Sequence, residues 1–123
     1  MSKYYHDKLL KIPIYDKSVR IVITNDEEKA SDNLHINNGL FAHAIEWKGE
    51  GSDYGLWIVF NFEANKKISY GVIAHEVFHI TNYILDFIGV VPDFKNDEQQ
   101  AYLIEWLTNK VIEFIKRKGF DIV

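Results

Sequence analysis

The stretch Ile68–Ile88, ISYGVIAHEVFHITNYILDFI, decides how this chain is organised. Apolar residues recur through it at helical spacing and polar positions are few, which predicts a helix that is central and largely buried. Gly89 followed by Pro92 is a stop signal. Downstream, Asn96 and Asp97 with Gln99 and Gln100 three residues on resemble a helix N-cap. From there Leu103, Ile104, Leu107, Val111, Phe114 and Ile115 form an apolar stripe at helical spacing. Lys116, Arg117 and Lys118 suit a helix C-terminus, and Gly119 ends it.

Upstream of Asn65 the period is two. Ile12–Tyr15 and Val19–Thr24 read as strands with Asp16-Lys17 as the turn between them. Asn25–Asn33 is polar and suits a short helix, with Asp26 and Glu27 placed for its first turn. Gly39–Trp47 and Gly55–Phe62 read as strands joined by the turn-rich loop Lys48–Tyr54. Leu56–Phe60 is apolar at every position, which suits a strand inside a sheet. Strands first and two long helices after them predict an α+β fold, a single domain over residues 1–123.

The composition narrows the chemistry. The chain has 123 residues, 47% of them apolar, with 14 Lys+Arg against 18 Asp+Glu for a formal charge of −4. No Cys is present, which excludes a disulfide scaffold, a thiolate nucleophile and every Cys-based zinc or iron–sulfur site. Any metal must be held by His and carboxylates. The mild acidity and the lack of a Lys/Arg cluster argue against nucleic acid as a partner. Lys66-Lys67 and Lys116–Lys118 are the densest basic stretches and read as solvated helix ends. The N-terminus lacks the apolar segment of a signal peptide. The longest unbroken apolar run, Leu56–Phe60, is far short of a membrane span. A soluble, cytoplasmic protein is the expectation.

His75-Glu76-Val77-Phe78-His79 is H-E-x-x-H, set inside the long helix. Two His four residues apart differ by about 40° around a helix axis, so both rings leave one face and can chelate one ion. Glu76 lies one step round, close enough to take a proton from a water on that ion without displacing it. Given 5 His and 9 Glu in 123 residues, about 0.014 such matches are expected by chance, so the motif is specific. A zinc site of this kind needs a third protein ligand and one open position. Without Cys the choices are His6, His35, His43 or a downstream carboxylate.

This motif, the Gly-Pro turn after it, and Asp97-Glu98-Gln-Gln-Ala101-Tyr102 opening a second helix together resemble the gluzincin metallopeptidases. The likeness extends to the very short minigluzincins and to small metallopeptidase-like proteins of phages and other mobile elements. It covers about Trp57 to Ile115. The resemblance implies a zincin-like fold and a zinc ion held by His75, His79 and a Glu roughly twenty residues on. Glu98, 19 residues after His79, fits that place; Asp97 is the alternative, and Glu98 also suits the first turn of any helix. Glu105, two turns beyond Glu98, reads as solvent-facing or as a support to the ligands. Many gluzincins carry an Asp four residues after the Glu ligand, where this chain has Tyr102, so a different set of supporting contacts is expected. Tyr102 or Tyr83 would offer a phenol to a developing oxyanion, although an ordinary core aromatic is the plainer reading of both. His43 alternates with Phe41, Ile45 and Trp47 on one strand face and reads as a packed strand residue. His6 and His35 lie in polar segments, expected to be exposed, and carry no motif. Asn61, where the strand leaves the apolar run, suits a strand end.

The function these residues predict is zinc-dependent hydrolysis of a peptide or protein substrate, with Glu76 as general base and no nucleic-acid or membrane partner. An extended peptide would pair with an exposed edge of the sheet, the strand before the motif helix being the candidate. The chain stops one short tail after the second helix, where larger peptidases continue into the far wall of the cleft. The alternative is therefore a weak or inactive zincin-like domain that binds a protein partner.

Overall fold

The computed structural model describes residues 3–13, 15, 17–26, 42–47, 55–61 and 68–123. Four strands come first: β1 (Tyr5–Lys11), β2 (Ser18–Thr24), β3 (Ala42–Trp47) and β4 (Gly55–Asn61). Two helices follow, α1 (Tyr70–Phe87) and α2 (Glu98–Arg117). The α+β arrangement expected from the change of period is the one observed.

The strands form one sheet in the order β1-β2-β4-β3. β1 and β2 are antiparallel, β2 and β4 parallel, and β3 and β4 antiparallel. β4 therefore has a neighbour on each side, which agrees with its unbroken apolar run. Leu56, Ile58 and Phe60 enter the main core, while Val59 joins Val22 in a smaller cluster against which Tyr5 and Trp57 pack. This corrects the expectation that a peptide would pair with the strand before the motif helix: both edges of β4 are filled, and the outer strand on that side is β3.

The first strand also departs from its expected place. Of the residues Ile12–Tyr15 expected as a strand, Ile12, Pro13 and Tyr15 lie in the reversal between β1 and β2. Ile12 N–H donates to the Lys17 carbonyl at 2.9 Å, and Tyr15 N–H to the Pro13 carbonyl at 2.8 Å. Pro13 has no N–H to give a ladder, so a turn suits it better. β1 lies upstream, where charged residues interrupt YHDKLLK and only Leu10 is fully buried. Charge of this kind is usual on an edge strand and masks its period. The polar helix expected over 25–33 lies outside the described residues apart from Asn25 and Asp26. Asn25 serves β1 instead: its Oδ1 accepts from Tyr4 N–H at 2.7 Å, while the Thr24 hydroxyl donates to the Tyr4 carbonyl at 2.8 Å. Lys66-Lys67 and the loop Lys48–Tyr54 are also outside the described residues, but the antiparallel pairing of β3 with β4 is the hairpin that loop was expected to close.

α1 begins as its sequence suggests. Ser69 is the N-cap in extended backbone (φ −99, ψ 154), and its hydroxyl accepts from Val72 N–H at 3.0 Å. The helix closes at Ile88, after which Gly89 takes φ +77, a conformation that favours glycine. Ile73, Val77, Ile80, Ile84 and Leu85 are buried against the sheet and α2, each contributing about 1.5–3 kcal/mol. The helix is nevertheless not buried all round. Tyr70, His75, Phe78, His79, Tyr83 and Phe87 face solvent, so apolar content alone overstated its burial.

α2 buries Leu103, Leu107, Val111, Phe114 and Ile115, the stripe read from the sequence. Lys116 and Arg117 occupy its last turn and Gly119 follows at φ +87. Its start is less regular. Asp97 is the N-cap, but with φ −123 and ψ 6 it makes no capping hydrogen bond through its side chain. After α2 the chain returns to the start of α1: Ile122 bridges Ile68, Val123 N–H donates to the Ile68 carbonyl at 2.9 Å, and Tyr70 N–H donates to the Val123 carbonyl at 3.2 Å. Among the described residues no helix is long and apolar enough to cross a membrane.

Candidate metal centre

The Ser69 cap fixes where α1 begins, and hence which way each side chain leaves it. Ile73, Val77, Ile80 and Ile84 take the core side, so His75 and His79 are turned outward one turn apart. Their rings approach at 4.8 Å between centroids, tilted by 73°. The Nε2 atoms converge to 3.2 Å. Two imidazoles bound to one tetrahedral zinc at their usual bond length would hold these atoms about 3.3–3.4 Å apart. The separation of the two nitrogens is thus close to that of a shared ion.

Glu76 lies beside them in a different environment. Its side chain is 9% exposed against 67% for His75, and its Oε1 is 3.8 Å from His75 Nε2. No hydrogen bond to this carboxylate exists among the described residues, although a buried carboxylate is costly without partners. A carboxylate next to the converging nitrogens and just under the surface is within reach of a water held there. Phe78 borders the same face, its ring centroid 6.1 Å from that of His79.

Comparison of the chain with protein-family models, curated proteins and solved structures found no match. The chemistry of the site therefore has to be read from its own geometry.

Glu98, expected as the third ligand, does not join the histidines here. Among the described residues no three His, Asp or Glu side chains meet as a metal-holding group. Glu98 is the first residue of α2 and is exposed. It precedes the buried Leu107 by nine residues, about half a turn of phase on a helix, so it leaves the side of α2 opposite to the core. Asp97, the alternative, is the exposed N-cap. Glu105 is exposed, as the solvent-facing reading expected. Spacing along the chain located the segment; helical phase decides the direction.

Gln100 is the residue that α2 turns toward the motif helix, its Nε2 donating to Asn82 Oδ1 at 2.8 Å in a partly buried contact. Asn82 is seven residues beyond His75, so it continues the stripe of the two histidines along α1. The sequence reading missed this pair. Its signals were the heptad spacing from His75 to Asn82 and the phase that Gln100 shares with Leu103, Leu107 and Val111.

The remaining candidates are placed as follows. Tyr102 is 66% and Tyr83 37% exposed, so neither is the core aromatic that was the plainer expectation. His6 is half-buried in β1, stacked on Tyr4 at 5.4 Å and edge-on to Phe120 at 6.5 Å. It belongs to a packed aromatic group, not to an exposed polar segment. His43 lies in β3, in register with Val59, and its side chain is outside the described residues. His35 lies outside the described residues, as does the side chain of Asn61.

Proposed function

We propose that this chain is a zinc-dependent hydrolase of peptide bonds, with His75 and His79 as metal ligands and Glu76 as general base. The observation that carries the reading is the 3.2 Å approach of His75 Nε2 and His79 Nε2 beside a buried carboxylate. A bound zinc ion would supply Lewis acidity to a substrate carbonyl and lower the pKa of a water. His75 and His79 hold the ion through Nε2, with each Nδ1 left to a donor role that fixes the tautomer. Glu76 takes the proton of the attacking water and returns it to the leaving amine. Glu98 is the proposed third ligand, which requires the first turn of α2 to reorient. The proposed substrate is a peptide or protein segment, as the resemblance of the motif to the gluzincins implies.

Metal analysis of protein prepared with zinc is expected to give about one zinc per chain, lost in His75→Ala and in His79→Ala. Glu76→Gln is expected to retain the metal and abolish cleavage of a peptide library. Absence of zinc from the wild-type protein would overturn the metal reading, and activity surviving in Glu76→Gln would remove Glu76 as the base.

A second reading, a zincin-like domain that binds a protein partner without cleaving it, is favoured by the outward direction of Glu98. Zinc binding with no cleavage of the library would support it.

A further inference from the structure

The two helices of this fold begin in opposite ways. α1 starts from a Ser69 cap with extended backbone and a side-chain hydrogen bond; α2 starts from Asp97 with neither. The first turn of α2 therefore lacks the side-chain acceptor that usually holds a helix start. Beyond backbone bonds such as Ala101 N–H to the Asp97 carbonyl at 2.9 Å, a side chain ties this turn to α1: Gln100, through its 2.8 Å bond to Asn82 on the histidine stripe. Asn82 stands one turn past His79, so the bond forms next to the metal face.

Gln100 and Glu98 cannot both point there. Two residues apart on a helix, they differ by about 200° of phase. While Gln100 reaches Asn82, helical phase puts Glu98 on the side of α2 away from that contact. Only by unwinding or rewinding that turn can the Glu98 carboxylate come round, and doing so pulls Gln100 off its partner.

We propose that Asn82 and Gln100 are positioning residues that set the composition of the metal site: their hydrogen bond and the Glu98 ligand compete for the first turn of α2. The proposal rests on the zinc reading above. It makes the wild-type protein a two-state system in which the three-ligand set is reached at the expense of one partly buried hydrogen bond. The apparent zinc affinity is then lowered by the fraction of molecules in which the turn is held. A net hydrogen bond of the usual strength corresponds to about a threefold to tenfold effect.

The sign of this effect separates the proposal from a merely structural role. If the bond simply steadied the fold, removing it would weaken zinc binding or leave it unchanged. If it competes with Glu98, removing it tightens binding. The test is zinc affinity of the full chain, measured by competition with a chromophoric chelator and accompanied by thermal melting of the metal-free protein. Gln100→Ala and Asn82→Ala are each expected to bind zinc about threefold to tenfold more tightly than wild type. Glu98→Ala combined with Gln100→Ala is expected to lose that gain. The exchanged pair, Asn82→Gln with Gln100→Asn, rebuilds an amide–amide bond and is expected to restore wild-type affinity.

Zinc affinity that is unchanged or weaker in both alanine variants, with melting retained, would overturn the proposal. So would a gain that survives Glu98→Ala. If the alanine variants melt far below wild type, the exchanged pair decides: a stable exchanged pair with alanine-like affinity also overturns it. Failure of wild type and every variant to take zinc is a different result, because it removes the metal reading itself and this proposal with it.

Discussion

Glu76 combines two properties that rarely occur together without a use. It is a carboxylate with 9% of its side chain exposed, and its ionic neighbour among the described residues is a solvent-facing histidine at 3.8 Å. Desolvation of such a group costs free energy in the metal-free fold. Glu76→Gln keeps the volume and removes the charge, so the metal-free variant is expected to melt about 2–5 °C above wild type by calorimetry. A variant melting lower would mean that the carboxylate is favourably solvated or bonded. At this scale the sequence was informative where geometry is local. The four-residue spacing of His75 and His79 foresaw their convergence, because one helical turn sets it. Glu98 was expected from the gluzincin resemblance, which fixes a distance along the chain but no helical phase, and its direction depends on how α2 packs.

The helices differ in what their ends contribute. The Ser69 hydroxyl accepts from Val72 N–H, so Ser69→Ala is expected to cost about 1 kcal/mol in denaturant unfolding. Asp97→Ala, at an N-cap without a side-chain bond, is expected to cost no more than a few tenths of that. Equal losses at both caps would contradict this contrast. Both helices were legible because their apolar stripes are long, though the exposed rings of Phe78, Tyr83 and Phe87 made α1 look more buried than it is. β1 was not legible. Its Asp7, Lys8 and Lys11 obscure the alternation, and part of its specification lies elsewhere, in the ladder with β2 and in Asn25, whose side chain receives Tyr4 N–H.

The molecule as a whole joins its parts around the base of β1. Tyr4 packs on His6 and Phe120, so the first strand and the segment after α2 share one aromatic group. Burial raises the phenols of Tyr4 and Tyr5 above the usual 10.0; for Tyr5 Asp7 adds to the rise and Arg20 opposes it. A phenol raised in the folded state keeps its proton where the unfolded chain has released one. Its stabilising contribution is present in full below about pH 10 and is lost as pH climbs through the folded value. Stability measured across this alkaline range is expected to fall less steeply in Tyr4→Phe and Tyr5→Phe than in wild type. An identical slope would mean that neither phenol is desolvated.

The sheet order has a consequence for how the chain reaches this state. β4 is the last strand in sequence yet lies between β2 and β3. Its antiparallel partner is a near neighbour, with Trp47 opposite Gly55, but its parallel partner is distant, with Val19 opposite Leu56. Closing the short hairpin is fast, whereas joining segments 37 residues apart has to overcome the larger loop entropy before contacts reward it. The β3–β4 hairpin is therefore expected to form as a unit and to dock onto β1–β2 afterwards. Until it docks, the surface against which α1 packs is incomplete, so the helix that carries the histidines is expected to settle against the sheet only after β2 and β4 have paired.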